Sequence, residues 1–307
     1  MKITNRAGLS PALVVCMDRI LNTYDKGEAD FTPTQLVDPV QSVLLQQRYG
    51  DVITEDVQDL LHIFQGTLMH MMLEAGAPEG SLAEKRLYCT LTVNGQDVTI
   101  GGMPDIVLDY DPDKPGAVIM HQYKYTGARS WMAGVKDEWT MAENIYKYLI
   151  EMEGHKVTAM WLNMFFKDWK WYEFVARPLE YPAHAIEKLP IEPWKPDRVE
   201  LLLEQRIRAL LIADILPDDE LPECTPEERW HTNDSWAVRK RGGKKASKVF
   251  WHQDGGEERA CEYAAEMQHK QKAEYLVDLR KGESKRCTRC FARNYCHQYQ
   301  TSICPAF

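Results

Sequence analysis

A run of short β-type segments in the middle of the chain, followed by one long amphipathic helix, restricts its fold more than any other feature. Leu87-Tyr88-Cys89-Thr90-Leu91-Thr92-Val93 and Val98-Thr99-Ile100 flank Asn94-Gly95. An Asn-Gly pair between two β-rich runs marks a hairpin, because a tight turn matched to strand twist needs positive φ at its two central residues. A strand from Ile106 to Tyr110 follows and ends in the turn-rich Asp111-Pro112-Asp113-Lys114-Pro115-Gly116, after which a further strand runs from Ala117 to Tyr125. Residues 135–152 read as a helix, and Val157 to Val175 as a second hairpin rich in aromatics. Upstream, residues 32–48 form a helix opened by Thr32-Pro33-Thr34. Residues 54–75 form another, with Thr54 as cap and Val57, Leu60, Leu61, Phe64, Leu68 and Met72 at helical spacing. Two helices, four strands, a helix and two more strands predict an α/β domain, a mixed sheet with helices on its faces.

The 307 residues suffice for one large domain or a core with a small satellite. The character changes beyond Tyr181, where Pro182, Pro190, Pro193 and Pro196 mark a linker into a helix from about Asp197 to Ile215. Thr225-Pro226 reads as a helix start, residues 235–251 as a basic hairpin around Gly242-Gly243, and Glu257 to about His269 as a helix. The expected division is a core over residues 1–181, a linker and helix over 182–223, and a C-terminal module over 224–307.

Apolar residues make up 44% and charged residues 27%, the balance of a folded globular protein. No apolar run approaches the ~18–20 residues of a membrane span. Pro11-Ala12-Leu13-Val14-Val15 is too short for the apolar part of a signal peptide, so a cytoplasmic location with no membrane partner is expected. In that setting the eight cysteines are thiols or metal ligands rather than disulfides. A net charge of −9 argues against a protein that coats nucleic acid, yet an enzyme acting on DNA with a local basic surface remains compatible with it.

Asp105 follows Gly101-Gly102-Met103-Pro104, where glycines let the backbone bend and a substrate approach. Lys124 lies near the end of the next strand, and Gln122, two residues earlier, shares its face. Hydrolysis of a phosphodiester near neutral pH is commonly assisted by a divalent cation that activates water and offsets charge on phosphorus. Magnesium and manganese take oxygen ligands, manganese also histidine, and a neighbouring lysine can orient the water. His70 on the apolar helix before the sheet, and Glu143 with Tyr146 one turn apart on the helix after Lys124, complete the constellation. Each has a plain alternative as an ordinary helix or strand-end residue.

In this order, His70, Gly102-x-x-Asp105, Gln122-x-Lys124 and Glu143-x-x-Tyr146 resemble the RecB-like branch of the PD-(D/E)xK nucleases over roughly residues 30–175. The resemblance implies a restriction-endonuclease-like fold and a magnesium- or manganese-dependent deoxyribonuclease. His70 and Asp105 would be metal ligands, Lys124 the catalytic lysine and Tyr146 a phosphate contact. Two positions depart from the pattern. Gln122 stands where a second carboxylate is expected, and Glu143 where a glutamine is. The exchange looks reciprocal, so the expected ligands are His70, Asp105 and Glu143, with the Gln122 amide oxygen assisting. Exonuclease or single-strand-preferring action on DNA or DNA ends is one expectation. A non-catalytic DNA-binding or assembly protein on a decayed nuclease fold is the other.

Cys287-x2-Cys290-x5-Cys296 reads as three ligands of a metal centre that needs a fourth. Cys224, in a polar Pro-bounded loop, is the first choice, with Cys304 and Cys16 as alternatives, whereas Cys89 and Cys261 read as buried thiols. The spacing resembles the C-terminal part of the iron–sulfur staple in related nucleases, which implies a [4Fe–4S] cluster clamping the C-terminal segment onto the core, with zinc as the alternative. Between Cys224 and Cys287, Arg239, Lys240, Arg241, Lys244, Lys245 and Lys248 fall within ten residues flanked by Trp236 and Trp251. They form a candidate DNA grip of cations and stacking rings. A RecB-like core joined to such a module resembles nucleases encoded by bacteriophages.

Overall fold

The structure is a computed structural model describing residues 1–22, 26–78, 81–82, 85–104, 107–110 and 117–303, with backbone alone at 107–110, 302 and 303. The chain divides into two compact units, Met1–Pro217 and Asp218–Phe307. Among the described residues no helix is long and apolar enough to cross a membrane.

The first unit is mixed α/β. In chain order it holds β1 (Lys2–Thr4), α1 (Pro11–Asn22), α2 (Pro33–Val37), α3 (Val40–Tyr49), β2 (Thr54–Asp56), α4 (Leu61–Ala75), β3 (Leu87–Val93) and β4 (Gln96–Gly102). Then come β5 (Val107–Tyr110), β6 (Ala117–Thr126), α5 (Ala128–Met132), α6 (Asp137–Met152), β7 (Lys156–Phe166), α7 (Trp171–Ala176), β8 (Ile186–Pro190) and α8 (Pro196–Asp214). The principal sheet has the order β5-β6-β7-β8. β6 and β7 are parallel, which requires the crossover that α5 and α6 provide, and the outer pairings are antiparallel. β3 and β4 form the expected hairpin, with positive φ at Asn94 (53°) and Gly95 (80°).

Three sequence expectations are corrected by tertiary partners. The helix expected over 32–48 is two helices. Thr32 caps α2 through a reciprocal pair with Gln35, but Pro39 forces Asp38 into an extended conformation (φ −77°, ψ 154°). Arg206 on α8 then donates to the Leu36 carbonyl at 2.8 Å and to the Asp38 carbonyl. Thr54 is no helix cap; it opens β2, which pairs in parallel with β1. Residues 157–175 are no hairpin, because β7 finds its partners in β6 and β8 while residues 171–176 turn into α7. The first unit runs through α8, whose Val199, Leu203, Ile207 and Leu210 are buried, and the second begins at Asp218.

The short β1–β2 pair is held at one end by Asp56. Its carboxylate accepts from the Arg6 backbone N–H (2.9 Å), Thr4 Oγ1 (2.8 Å) and the Gln58 N–H (3.2 Å). The Arg6 backbone N–H is the main reason its pKa is held at about 2 against an ordinary 3.8, with burial opposing. A carboxylate depressed in the folded state stabilises above its unfolded pKa and loses that contribution as pH falls through the folded value. The melting-temperature gap between wild type and Asp56→Asn is therefore expected to be full at neutral pH. It should narrow from pH 3.8 to about 2. A gap constant across that window would remove Asp56 from the acid response.

The second unit holds β9 (Ser235–Lys240), β10 (Lys248–Trp251), α9 (Gly256–Gln271) and β11 (Tyr275–Arg280), with antiparallel sheet order β10-β9-β11. Val238, Phe250, Ala260, Ala264 and Tyr275 are its buried cluster, where α9 packs on the sheet. Thr225-Pro226 opens a single turn: Thr225 Oγ1 accepts from the Glu228 N–H (3.2 Å) and Glu228 Oε2 from the Thr225 N–H (2.9 Å). Trp230, at φ 50°, stops it from becoming a helix.

Candidate functional site

In β6 alternate residues face one side. Met120 and Gln122 are buried (0% and 2% exposed), and Lys124 follows on the same face. Beside them runs α6, buried at Glu143, Asn144, Ile145, Lys147, Tyr148, Leu149 and Ile150. Gln122, Lys124, Glu143 and Tyr146 open together into a cavity of about 1080 Å³, along with His70 and Thr67 of α4 and Met103. The cavity is also lined by Thr32, Thr34, Gln35, Gln46 and Gln47, by the carboxylates Asp38 and Asp51, and by Lys26. Five of the six residues singled out in the core thus share one cavity. The sixth, Asp105, lies outside the described residues.

Glu143 is wholly buried and Lys124 Nζ stands 3.5 Å from its Oε1, with the lysine side chain 29% exposed. A buried carboxylate is costly unless compensated by hydrogen bonds or positive charge, which Lys124 contributes. Asn144 sets the rotation of α6 about its axis. Its Nδ2 donates to the Thr140 carbonyl (2.9 Å) and the Glu192 carbonyl (3.0 Å), and its Oδ1 accepts from the Trp194 N–H (2.6 Å). Sequence reasoning missed this residue. Its signal was a poor helix former inside the apolar half of a helix.

The Gly101-Gly102 pair serves packing rather than substrate approach. A Cβ on Gly102 would lie 2.8 Å from Tyr146 Cε1, 2.9 Å from Pro33 Cγ and 3.0 Å from Leu149 Cδ1. On Gly101 it would lie 2.6 Å from the Ala29 Cβ. Gly102→Ala is expected to cost about 1–3 kcal/mol by overpacking and to displace the Tyr146 ring from the cavity wall. Gly66→Ala on α4, with nothing within 4 Å of the added carbon, is the neutral-to-stabilising control. Equal melting temperatures for the two variants would refute the packing role.

In the second unit Cys224, Cys287, Cys290 and Cys296 are half-buried cysteines outside any disulfide. Burial pushes the Cys224 thiol up to about 12, and Glu228, Cys296, Cys287 and Cys290 add to it, so the four sulfurs lie within electrostatic reach of one another. Burial likewise raises Cys287 and Cys296. Cys296 Sγ accepts the Tyr299 N–H at 3.4 Å. Gln298, buried, grips the backbone of Cys224 from both sides. Its Oε1 accepts the Cys224 N–H at 3.0 Å and its Nε2 donates to the Cys224 carbonyl at 3.0 Å. Arg229 Nε donates to the same carbonyl at 3.1 Å. Among the described residues no three His, Cys, Asp or Glu side chains stand close enough to hold a metal ion as placed. The four-thiol set still fits a thiophilic centre chemically, since a cation would relieve the mutual cost of ionising grouped thiols. Cys304 lies outside the described residues and Cys16 sits on α1. Cys89 is buried, its thiol raised to about 11, whereas Cys261 is exposed on α9, contrary to the sequence reading.

The basic hairpin forms, but its cations are not a single free group. Arg239 pairs with Asp278 and Arg241 Nη1 with Glu274 Oε2 at 2.5 Å, acids that β11 and the residue before it bring alongside. Lys248 Nζ lies 4.8 Å from the Phe250 ring centre and 5.4 Å from that of Tyr263. Trp236 packs on the core of the unit rather than standing free to stack. Lys240, Lys244 and Lys245 are exposed, as is Trp251.

No family model matches the chain, and no curated protein matches it. One solved structure, described as the crystal structure of SSO0001, matches at 16% identity and a TM-score of 0.45, over 63% of this chain and 86% of that chain. A likeness that distant carries no argument about function. What the fold defines is a mixed α/β protein, and the cavity must speak for its own chemistry.

Proposed function

We propose that this chain is a magnesium- or manganese-dependent DNA nuclease of the PD-(D/E)xK type, with a restriction-endonuclease-like core and a cysteine-bounded C-terminal module. The observation that carries the reading is the meeting of His70, Gln122, Lys124, Glu143 and Tyr146, drawn from three separate elements, in one cavity. His70, Glu143 and the Gln122 side-chain amide oxygen, with Asp105, are the proposed holders of a divalent cation. Such a cation, when bound, supplies Lewis acidity toward the phosphate and a water of lowered pKa. The Lys124 ammonium offsets charge gathering on the phosphate oxygens and orients the attacking water. The Tyr146 hydroxyl donates to a phosphate oxygen. Cys224, Cys287, Cys290 and Cys296 are the proposed ligands of a [4Fe–4S] cluster or of zinc, with a structural role.

The second reading, a DNA-binding protein without catalysis, is favoured by the Lys124–Glu143 contact itself, since a lysine and a carboxylate engaged with each other can serve packing alone. The deciding experiment incubates full-length protein, purified without oxygen, with single- and double-stranded DNA in magnesium and in manganese. Cleavage lost in EDTA and in Lys124→Ala is the expected result. No cleavage by the wild type in either metal would overturn the enzymatic reading.

A further inference from the structure

We propose that the segment following β7 is a stacking platform for single-stranded nucleic acid, with Trp171 and Tyr172 as base-contacting rings and Lys167 and Lys170 as phosphate-contacting cations. The nuclease reading gives this platform its purpose, but the binding it predicts needs no cleavage.

Trp171 and Tyr172 leave 63% and 62% of their surface exposed. Large rings are the side chains that gain most from burial, so two adjacent ones left outside mark a contact surface. Flexibility does not explain the exposure. The Trp171 ring is braced against Trp169 (centroids 6.5 Å apart, planes at 57°) and Phe174 (5.6 Å, 52°). Trp169 Nε1 donates to the Pro182 carbonyl at 2.9 Å, and the Lys170 N–H donates to the hydroxyl of buried Tyr181 at 3.1 Å. A ring already held in place, as that of Trp171 is, loses little entropy when a base stacks on it.

The charges around the rings favour a polyanion. Both carboxylates of the segment are engaged: Asp168 accepts the Ala128 N–H at 2.7 Å, and Glu173 pairs with Arg177. Lys167 and Lys170 are exposed, and Lys170 Nζ lies 5.7 Å from the Tyr172 ring centre. In a chain of net charge −9, cations interleaved with exposed rings point to a strand of phosphates and bases. Bases inside a duplex are already stacked on their neighbours, which favours a single strand over a duplex.

The platform stands next to the cavity. Lys167 N–H donates to the Thr126 carbonyl at 2.9 Å, and Thr126, paired with Phe166, lies two residues beyond Lys124 on β6.

The test is fluorescence anisotropy of a labelled oligothymidylate of about twenty nucleotides with the full chain in EDTA, where nothing is cut. Trp171→Ala is expected to weaken binding about tenfold and Trp171→Ala with Tyr172→Ala about a hundredfold, with duplex binding of equal length changed less than about twofold. Trp171→Phe should retain most of the affinity. If Trp171→Ala fails to fold, Tyr172→Ala carries the measurement, since its ring is largely in solvent. A wild type that binds no single strand, a double variant within about twofold of it, or equal loss on duplex would each overturn the platform. Ring-dependent binding without cleavage in either metal would instead sink the nuclease reading and leave the platform standing.

Discussion

The Lys124→Ala variant is expected to hydrolyse DNA roughly 10²–10⁴-fold more slowly than the wild type, because it removes the cation proposed to offset phosphate charge and orient water. Its effect on stability separates catalysis from packing. Glu143 is wholly buried whereas Lys124 reaches solvent, so the two halves of the pair differ in what their loss leaves behind. Removing the lysine strands part of the charge of a buried carboxylate and should cost about 2–4 kcal/mol. Glu143→Gln removes the buried charge itself and leaves a lysine that can extend into water, so it should cost less. The double variant should then be more stable than Lys124→Ala alone, while cutting no faster. Urea denaturation and a single-turnover cleavage assay on all three variants provide the check. If Lys124→Ala loses stability but cuts at the wild-type rate, the pair is a structural contact and the catalytic assignment is wrong.

Cys224→Ser should have the second large effect, on the C-terminal unit. Cys224 is separated by more than sixty residues from Cys287, yet Arg229 and Gln298, the latter two residues beyond Cys296, hold its backbone. If these thiols hold the proposed metal, loss of one of the four should release it, and structural metal sites contribute on the order of 10 kcal/mol to the folds they close. The expected result is wild-type protein carrying iron with broad visible absorption, or colourless zinc, and a Cys224→Ser protein carrying neither and melting lower. Cys261→Ser, at an exposed position on α9, should change neither. Wild-type protein without iron or zinc, melting with Cys224→Ser, would remove the metal assignment altogether.

The legible parts of the chain were those governed by neighbours a few residues apart. The Asn94-Gly95 hairpin, the helix carrying Glu143, α8 and the hairpin of the second unit all read correctly from turn chemistry and periodicity. The illegible parts depended on partners far along the chain. Thr54 has the chemistry of a cap, but β1 recruits it into a strand. Residues 157–166 carry strand signals that say nothing of parallel pairing with β6. Asn144 stands out only as a poor helix former, and its partners appear when the 192–194 segment arrives beside it.

The candidate site divides along the same line. The sequence alone determined which side chains had the chemistry: His70, Gln122, Lys124, Glu143 and Tyr146 in one half, and Cys224, Cys287, Cys290 and Cys296 in the other. Only the tertiary structure decided which of them meet. It turned Glu143 toward Lys124, and it gave Arg239 and Arg241 acidic partners that the basic run concealed. Residue type and local spacing are set by covalent order, whereas charge compensation and cavity walls arise from side chains that approach only when distant segments pack.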